Sequence, residues 1–67
     1  MPALVLNGQS RSFENTQNLA DLLRELGLEA RPVVIEHNGS AVPPRLFAST
    51  TLAAGDRVEI VELAAGG

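Results

Sequence analysis

Sixty-seven residues hold at most one domain. A chain this short buries only about 60% of the surface it exposes when unfolded, so its 45% of hydrophobic residues must fill one small core rather than line a deep catalytic cavity. The absence of cysteine excludes disulfides, thiolate metal sites and a cysteine nucleophile, and one histidine, His37, cannot build a multi-histidine metal site. Arg11, Arg24, Arg31, Arg45 and Arg57 are scattered against eight acidic residues for a net charge of −3, and Phe13 and Phe47 are the only aromatics. That pattern argues against a nucleic-acid partner. The apolar runs are far too short for a membrane span, and no basic segment precedes an apolar one at the N-terminus. The expectation is a small acidic cytoplasmic domain with neither nucleic acid nor membrane as partner.

In chain order, Ala3 to Asn7 is a β-rich run that ends in Asn7-Gly8, a dipeptide whose residues both tolerate positive φ and so favour a two-residue hairpin. Ser10 to Glu14 is the returning strand, with Phe13 inward. The period then changes. Leu19, Leu22, Leu23 and Leu26 fall at i, i+3, i+4 and i+7, the stripe of one amphipathic helix over 19–26. Asn18 stands at its N-cap, Asp21 complements the positive end of its dipole, and Gly27 occupies the left-handed position past its end. After Pro32, Val33 to His37 is extended and meets a second Asn-Gly at Asn38-Gly39. Ser40 to Val42 pairs back until Pro43-Pro44 stops it. Residues 45–54 are read as irregular, with a turn of 3₁₀ helix anchored by Leu46, Phe47 and Leu52. Gly55-Asp56 is a turn into a last strand, Arg57 to Leu63, with Val58 and Ile60 on one side and Val61 and Leu63 on the other.

One helical stripe needs one apolar sheet face to cover it, which predicts an α+β domain with a mixed sheet of four to five strands and one helix packed on one face. The whole chain, 1–67, forms this domain, with 64–67 as a flexible C-terminal tail. The hairpin–helix–strand order resembles the β-grasp, or ubiquitin-like, fold. That resemblance implies that the first and last strands run parallel at the sheet centre.

The tail reads Ala64-Ala65-Gly66-Gly67. Glycine has no Cβ, so Gly66 and Gly67 make a thread slim enough for a narrow channel. A terminal carboxylate is a poor electrophile until its oxygen is made a better leaving group, for instance by adenylation. An uncharged, slender end on a folded body suits delivery of the Gly67 carboxylate to a nucleotide held by another protein, with Ala64, Ala65 and Gly66 threading into that active site. The plain alternative is a frayed end of small residues.

Over essentially its full length the chain resembles the sulfur carrier family of thiamin biosynthesis, ThiS. The resemblance rests on Asn7-Gly8, on Asn18-Leu19-Ala20-Asp21-Leu22-Leu23, and on Glu36-His37-Asn38-Gly39 followed by Val42-Pro43. It also rests on Leu52 with Gly55-Asp56-Arg57-Val58-Glu59-Ile60-Val61, and on Gly66-Gly67. The family often reads Val-Pro-Arg where Pro44 here separates Pro43 from Arg45, which leaves the role of Arg45 open. The resemblance implies a protein cosubstrate rather than an enzyme. It binds no cofactor of its own, while an activating enzyme related to ubiquitin's E1, ThiF, uses ATP and Mg²⁺ to adenylate Gly67. A persulfide donor then supplies sulfur, and thiazole synthase, ThiG, takes it from the resulting thiocarboxylate. The alternatives are the small subunit of molybdopterin synthase and a noncatalytic ubiquitin-like binding module.

Other groups carry less. Glu36 and His37 are consecutive on a strand and face opposite sides, so His37 reads as a structural or solvated histidine even with Asp56 considered. Ser49, Thr50 and Thr51 read as loop hydrogen-bonders. Asp21, Arg24, Glu25 and Glu29 read as a solvated helix face. Val5, Val34, Val61 and Leu63 fall on the sheet face away from the helix and form a candidate partner-docking patch.

Overall fold

The computed structural model describes residues 3–64. Strands β1 (Ala3–Leu6) and β2 (Gln9–Ser12) form the opening hairpin, followed by the helix α1 (Leu19–Glu25). A second hairpin, β3 (Val33–His37) and β4 (Ser40–Val42), leads into a 3₁₀ helix (Pro44–Ser49) and the last strand, β5 (Arg57–Glu62). The five strands form one sheet in the order β2-β1-β5-β3-β4. β1 and β5 run parallel, with Val5 level with Arg57 and Leu6 level with Val58. β3 lies antiparallel on the other side of β5, from Val33 opposite Glu62 to His37 opposite Val58. The last strand is therefore the central one.

Both hairpins turn on their Asn-Gly pairs. Asn7 and Gly8 have φ of 48° and 83°, and Asn38 and Gly39 have 51° and 86°, the doubly positive turn that matches strand twist. Each asparagine also reaches across to β5. The Asn7 side chain accepts from the Ile60 N–H at 2.7 Å and donates to the Ile60 carbonyl at 3.2 Å, extending the short parallel seam by one residue's worth of pairing. The Asn38 Oδ1 accepts from the Arg57 N–H at 2.8 Å.

The helix ends where its capping residues stand. The Asn18 side chain accepts from the Asp21 N–H at 2.8 Å, and Asp21 accepts in return from the Gln17 N–H at 3.0 Å. That second bond leads the causes that hold the Asp21 carboxyl below its usual value; desolvation opposes it and Arg24 adds to it. At the other end the Leu28 N–H bonds the Leu23 carbonyl and the Gly27 N–H bonds the Arg24 carbonyl, with Gly27 at φ 74°. This is a Schellman cap, and it places Leu26 at the C-cap rather than inside the helix.

Leu4, Leu6, Phe13, Leu19, Leu22, Leu23, Ile35, Leu52, Val58 and Ile60 make up the core between the helix and one sheet face. Val33 and Leu26 pack against it half-buried. Strand ends differ from expectation by a residue or two: β2 stops at Ser12, and β5 stops at Glu62. Leu46 corrects the expected anchoring of the 3₁₀ segment. It is exposed, and that segment is held instead by half-buried Phe47, by Leu52, and by backbone bonds from the Leu19 N–H to Thr50 and from the Leu52 N–H to Gln17. Thr16, fully buried, bonds the Glu14 carbonyl beside the positive-φ Asn15, a turn with no Gly or Pro to announce it.

Candidate functional site

The residues proposed to carry chemistry lie at and beyond the end of β5. Ala65, Gly66 and Gly67 fall outside the described residues. Up to that point, the Glu62 carboxylate accepts from Arg31 Nε at 2.7 Å, and the Leu63 N–H donates to the Pro32 carbonyl at 2.8 Å. Leu63 and Ala64 are exposed. Together with Arg31, Pro32 and Glu62 they line a shallow groove at the root of the tail. Since β5 is flanked by β1 and β3, the tail starts from the middle of the sheet's end.

On the face away from the helix, Val34 and Val61 are directly opposed in register and are 48% and 60% exposed, so both present their methyl groups to solvent. Leu63 is exposed as well. Val5 stands apart from this pair: it is half-buried and level with Arg57, four residues before Val61 and roughly 13 Å away at the usual strand rise. Glu36 and Glu59 face each other beside the valine pair, two exposed like charges on neighbouring strands. The open face is thus an apolar end near the tail and a charged middle.

At the opposite end of β5 the structure brings together two residues separated by 19 positions. His37 Nε2 donates to Asp56 Oδ2 at 2.8 Å, with both side chains largely buried. Asp56 also accepts from the Ala53 N–H at 2.9 Å and from Asn38 Nδ2 at 3.2 Å. Burial pushes the Asp56 carboxyl up, and the bonds from His37, Ala53 and Asn38, with the charge of His37, outweigh it and leave the group below its ordinary value. Glu36 points away from this cluster, and His37 is a structural histidine pinning one turn to another. Among the described residues no group of three or more His, Cys, Asp or Glu is placed to hold a metal ion, and no helix is long and apolar enough to cross a membrane. Arg24 pairs with Asp21 at 3.1 Å and lies 3.7 Å from Glu29, the solvated helix face that the spacing suggested. Arg31 escaped sequence reasoning, because its partner Glu62 is 31 positions distant and no motif links them.

A mixed five-stranded sheet, one helix across one face, and first and last strands parallel at the centre define a β-grasp domain of the ubiquitin-like kind. Comparison with known proteins narrows this. The ThiS family model matches residues 4–67, and the chain belongs to the ThiS family. The crystal structure of the thiamine biosynthesis protein ThiS from Geobacter metallireducens is 31% identical, with a TM-score of 0.79 over 97% of this chain and 99% of that one. An NMR structure of a thiamine biosynthesis protein from the same organism gives a TM-score of 0.78 at the same identity, over 97% and 87% of the two chains. A thiazole synthase of Paramagnetospirillum magneticum is 39% identical over 64 residues, which are 96% of this chain and 20% of that protein. The chain thus spans one fifth of that relative. An uncharacterised protein, ycf40, of Porphyra purpurea is 32% identical over 65 residues, covering 97% of this chain and 92% of its own.

Proposed function

We propose that the chain is the sulfur carrier of thiamin synthesis and that the Gly67 carboxylate is the group that carries the sulfur. The observation that supports this most directly is the family match over 4–67, which takes in Gly66-Gly67, on a fold whose central strand leads toward that end. An E1-like activating enzyme, ThiF, brings ATP and Mg²⁺. The Gly67 carboxylate oxygen attacks the α-phosphorus of ATP, and pyrophosphate leaves. A persulfide sulfur then attacks the acyl carbon and expels AMP. A thiol cleaves the S–S bond of that product, forming a disulfide and leaving the thiocarboxylate. Thiazole synthase, ThiG, takes this sulfur into the thiazole ring. That one relative named thiazole synthase contains a region like this chain favours a working contact between the two proteins. The carrier is a cosubstrate and acts in the cytoplasm, where ATP and the enzymes meet it.

The docking surface in this reading is the apolar end of the open face, Val34 with Val61, continued past the strand by exposed Leu63 at the root of the tail, with Val5 at its far margin. Burying a carboxylate there without a partner costs several kcal/mol, so Val61→Asp weakens association with the activating enzyme and leaves the circular dichroism unchanged.

The test of the chemistry is intact mass after incubation with ATP, the activating enzyme and a persulfide donor, which reads the exchange of one oxygen for one sulfur. Deleting Gly67 draws the carboxylate back by up to about 3.6 Å, and extending the chain converts it to an amide. Even a 1 Å misplacement can cost about a hundredfold in rate, so both variants stay folded and neither exchanges pyrophosphate with ATP. Near-normal exchange by the truncated chain overturns the reading.

A further inference from the structure

We infer that Arg31 is a positioning residue for the tail: by holding Glu62 it sets the direction in which the chain leaves the sheet toward Gly67. This rests on the sulfur-carrier reading above.

The support of β5 is lopsided at its end. On one side β1 pairs with β5 only as far as Val58, and the Asn7 side chain extends that contact to Ile60. On the other side β3 accompanies β5 to Glu62, opposite Val33. The last two residues before the tail are therefore tied along one edge, and a strand tied along one edge can swing about it. Two bonds resist the swing, and both come from the two residues that precede β3. The Pro32 carbonyl accepts from the Leu63 N–H at 2.8 Å, in the sheet plane. Arg31 Nε donates to Glu62 Oε2 at 2.7 Å. Glu62 alternates with Val61, so its side chain lies on the same side of the sheet as Val58 and Ile60, facing the helix layer. The ion pair therefore restrains motion out of the sheet plane, which the backbone bond leaves free. Pro32 adds to the arrangement, since its ring fixes φ and so removes one of the backbone rotations between Arg31 and the Pro32 carbonyl.

A carboxylate reacts with a nucleotide at a useful rate only when it arrives near attack geometry, so the angle at which the tail is launched belongs to the turnover step more than to docking. The pair is exposed, with side-chain accessibilities of 58% and 39%, so its influence is modest.

The experiment measures ATP–pyrophosphate exchange on the activating enzyme with the carrier as varied substrate, for wild type, Arg31→Ala and the double variant Arg31→Glu/Glu62→Arg. In parallel, hydrogen exchange at the Leu63 amide is followed by NMR. Arg31→Ala is expected to lower kcat about two- to fivefold with KM unchanged, and to speed Leu63 exchange by a similar factor while Val58 stays protected. The charge swap is expected to restore both. A raised KM with unchanged kcat, or a loss that the swap leaves in place, overturns the role, because Arg31 then acts on the enzyme rather than on Glu62. An active wild type whose kcat is unmoved by Arg31→Ala also overturns this role alone. A wild type that supports no exchange overturns the carrier reading beneath it.

Discussion

The two ends of β5 are built differently. At its start, Asp56 takes three hydrogen bonds on its carboxylate, from His37, the Ala53 N–H and Asn38, while the Asn38 side chain caps the Arg57 N–H. The Val5 N–H bonds the Asp56 carbonyl and the Gly55 N–H bonds the Ala3 carbonyl, so strands on both sides grip the same turn. At its end, beyond the ladder to β3 that closes with Glu62 opposite Val33, there is one backbone bond to Pro32 and one exposed ion pair to Arg31. A hydrogen bond to a charged group contributes about 1.5–3 kcal/mol, and the part-buried bond between His37 and Asp56 is of that kind, whereas an exposed pair contributes about 0.2–1 kcal/mol. Stability is thus concentrated where the strand enters the sheet and thin where it leaves. On the proposed reading, in which the tail enters another protein's active site, a lightly held exit costs little to rearrange, and a firmly held entry keeps the rest of the sheet unaffected.

The largest break in this asymmetry comes from Asp56→Ala, which strips the entry of all three carboxylate bonds. A loss of about 2–3 kcal/mol is expected, read as a lower urea midpoint at neutral pH with an unchanged slope. The same group supplies a pH signature. Its carboxyl titrates below the ordinary value of 3.8 in the folded protein, so its contribution is complete above that value and is lost as pH falls through the lowered one. Wild type should therefore lose stability steadily below about pH 4, and Asp56→Asn should flatten that slope without abolishing it, because Asp21 is lowered too. An unchanged acid slope in Asp56→Asn would place the acid-sensitive contact elsewhere.

An intermediate effect belongs to the parallel seam. Asn7→Gly keeps the positive φ that the turn demands while deleting both side-chain bonds to Ile60, so it isolates those bonds from turn strain. A cost of about 1–2 kcal/mol is expected, together with faster amide exchange at Ile60. Asn7→Ala should cost more, because alanine must also be forced to φ near 48°. Equal costs for the two variants would mean that the positive φ adds no strain and that the lost side-chain bonds account for the whole effect.

What the chain reveals before folding follows from how local each cause is. The helix is legible to within one residue, because Asn18, Asp21 and Gly27 act within a turn of the ends they define. Both hairpins are legible for the same reason, since Asn-Gly acts on its own φ angles. The pairing of β1 with β5 is not periodic information and enters through resemblance to a fold family. The second task of Asn7 and Asn38, and the meeting of His37 with Asp56, join positions 19 to 53 residues apart. No spacing rule encodes such contacts. The exposure of Leu46 shows the converse error: an apolar residue in a short 3₁₀ segment carries no period from which its direction can be read. Of the candidate site, Gly66-Gly67 is conspicuous by composition alone, whereas the Arg31–Glu62 pair becomes visible only when the chain is folded.

The smallest effect on stability should be found at the exit, and its smallness is the sharpest check on the asymmetry. Glu62→Gln removes the charge that Arg31 holds but keeps an acceptor oxygen of similar size. A loss under about 0.5 kcal/mol is expected at low salt, because two long side chains give up freedom to meet in a well-hydrated place. Salt should erase even this. The Debye length falls from about 10 Å at 0.1 M to about 3 Å at 1 M, so the urea midpoints of wild type and variant should converge as salt is raised. The entry cluster should respond otherwise, since Asp56 and His37 are mostly shielded and their bonds are short: the midpoint difference between wild type and Asp56→Ala should persist in 1 M salt. If Glu62→Gln costs as much as Asp56→Ala, or if its cost survives high salt, the exit is as firmly held as the entry, and the division of β5 into a fixed start and a lightly held end fails.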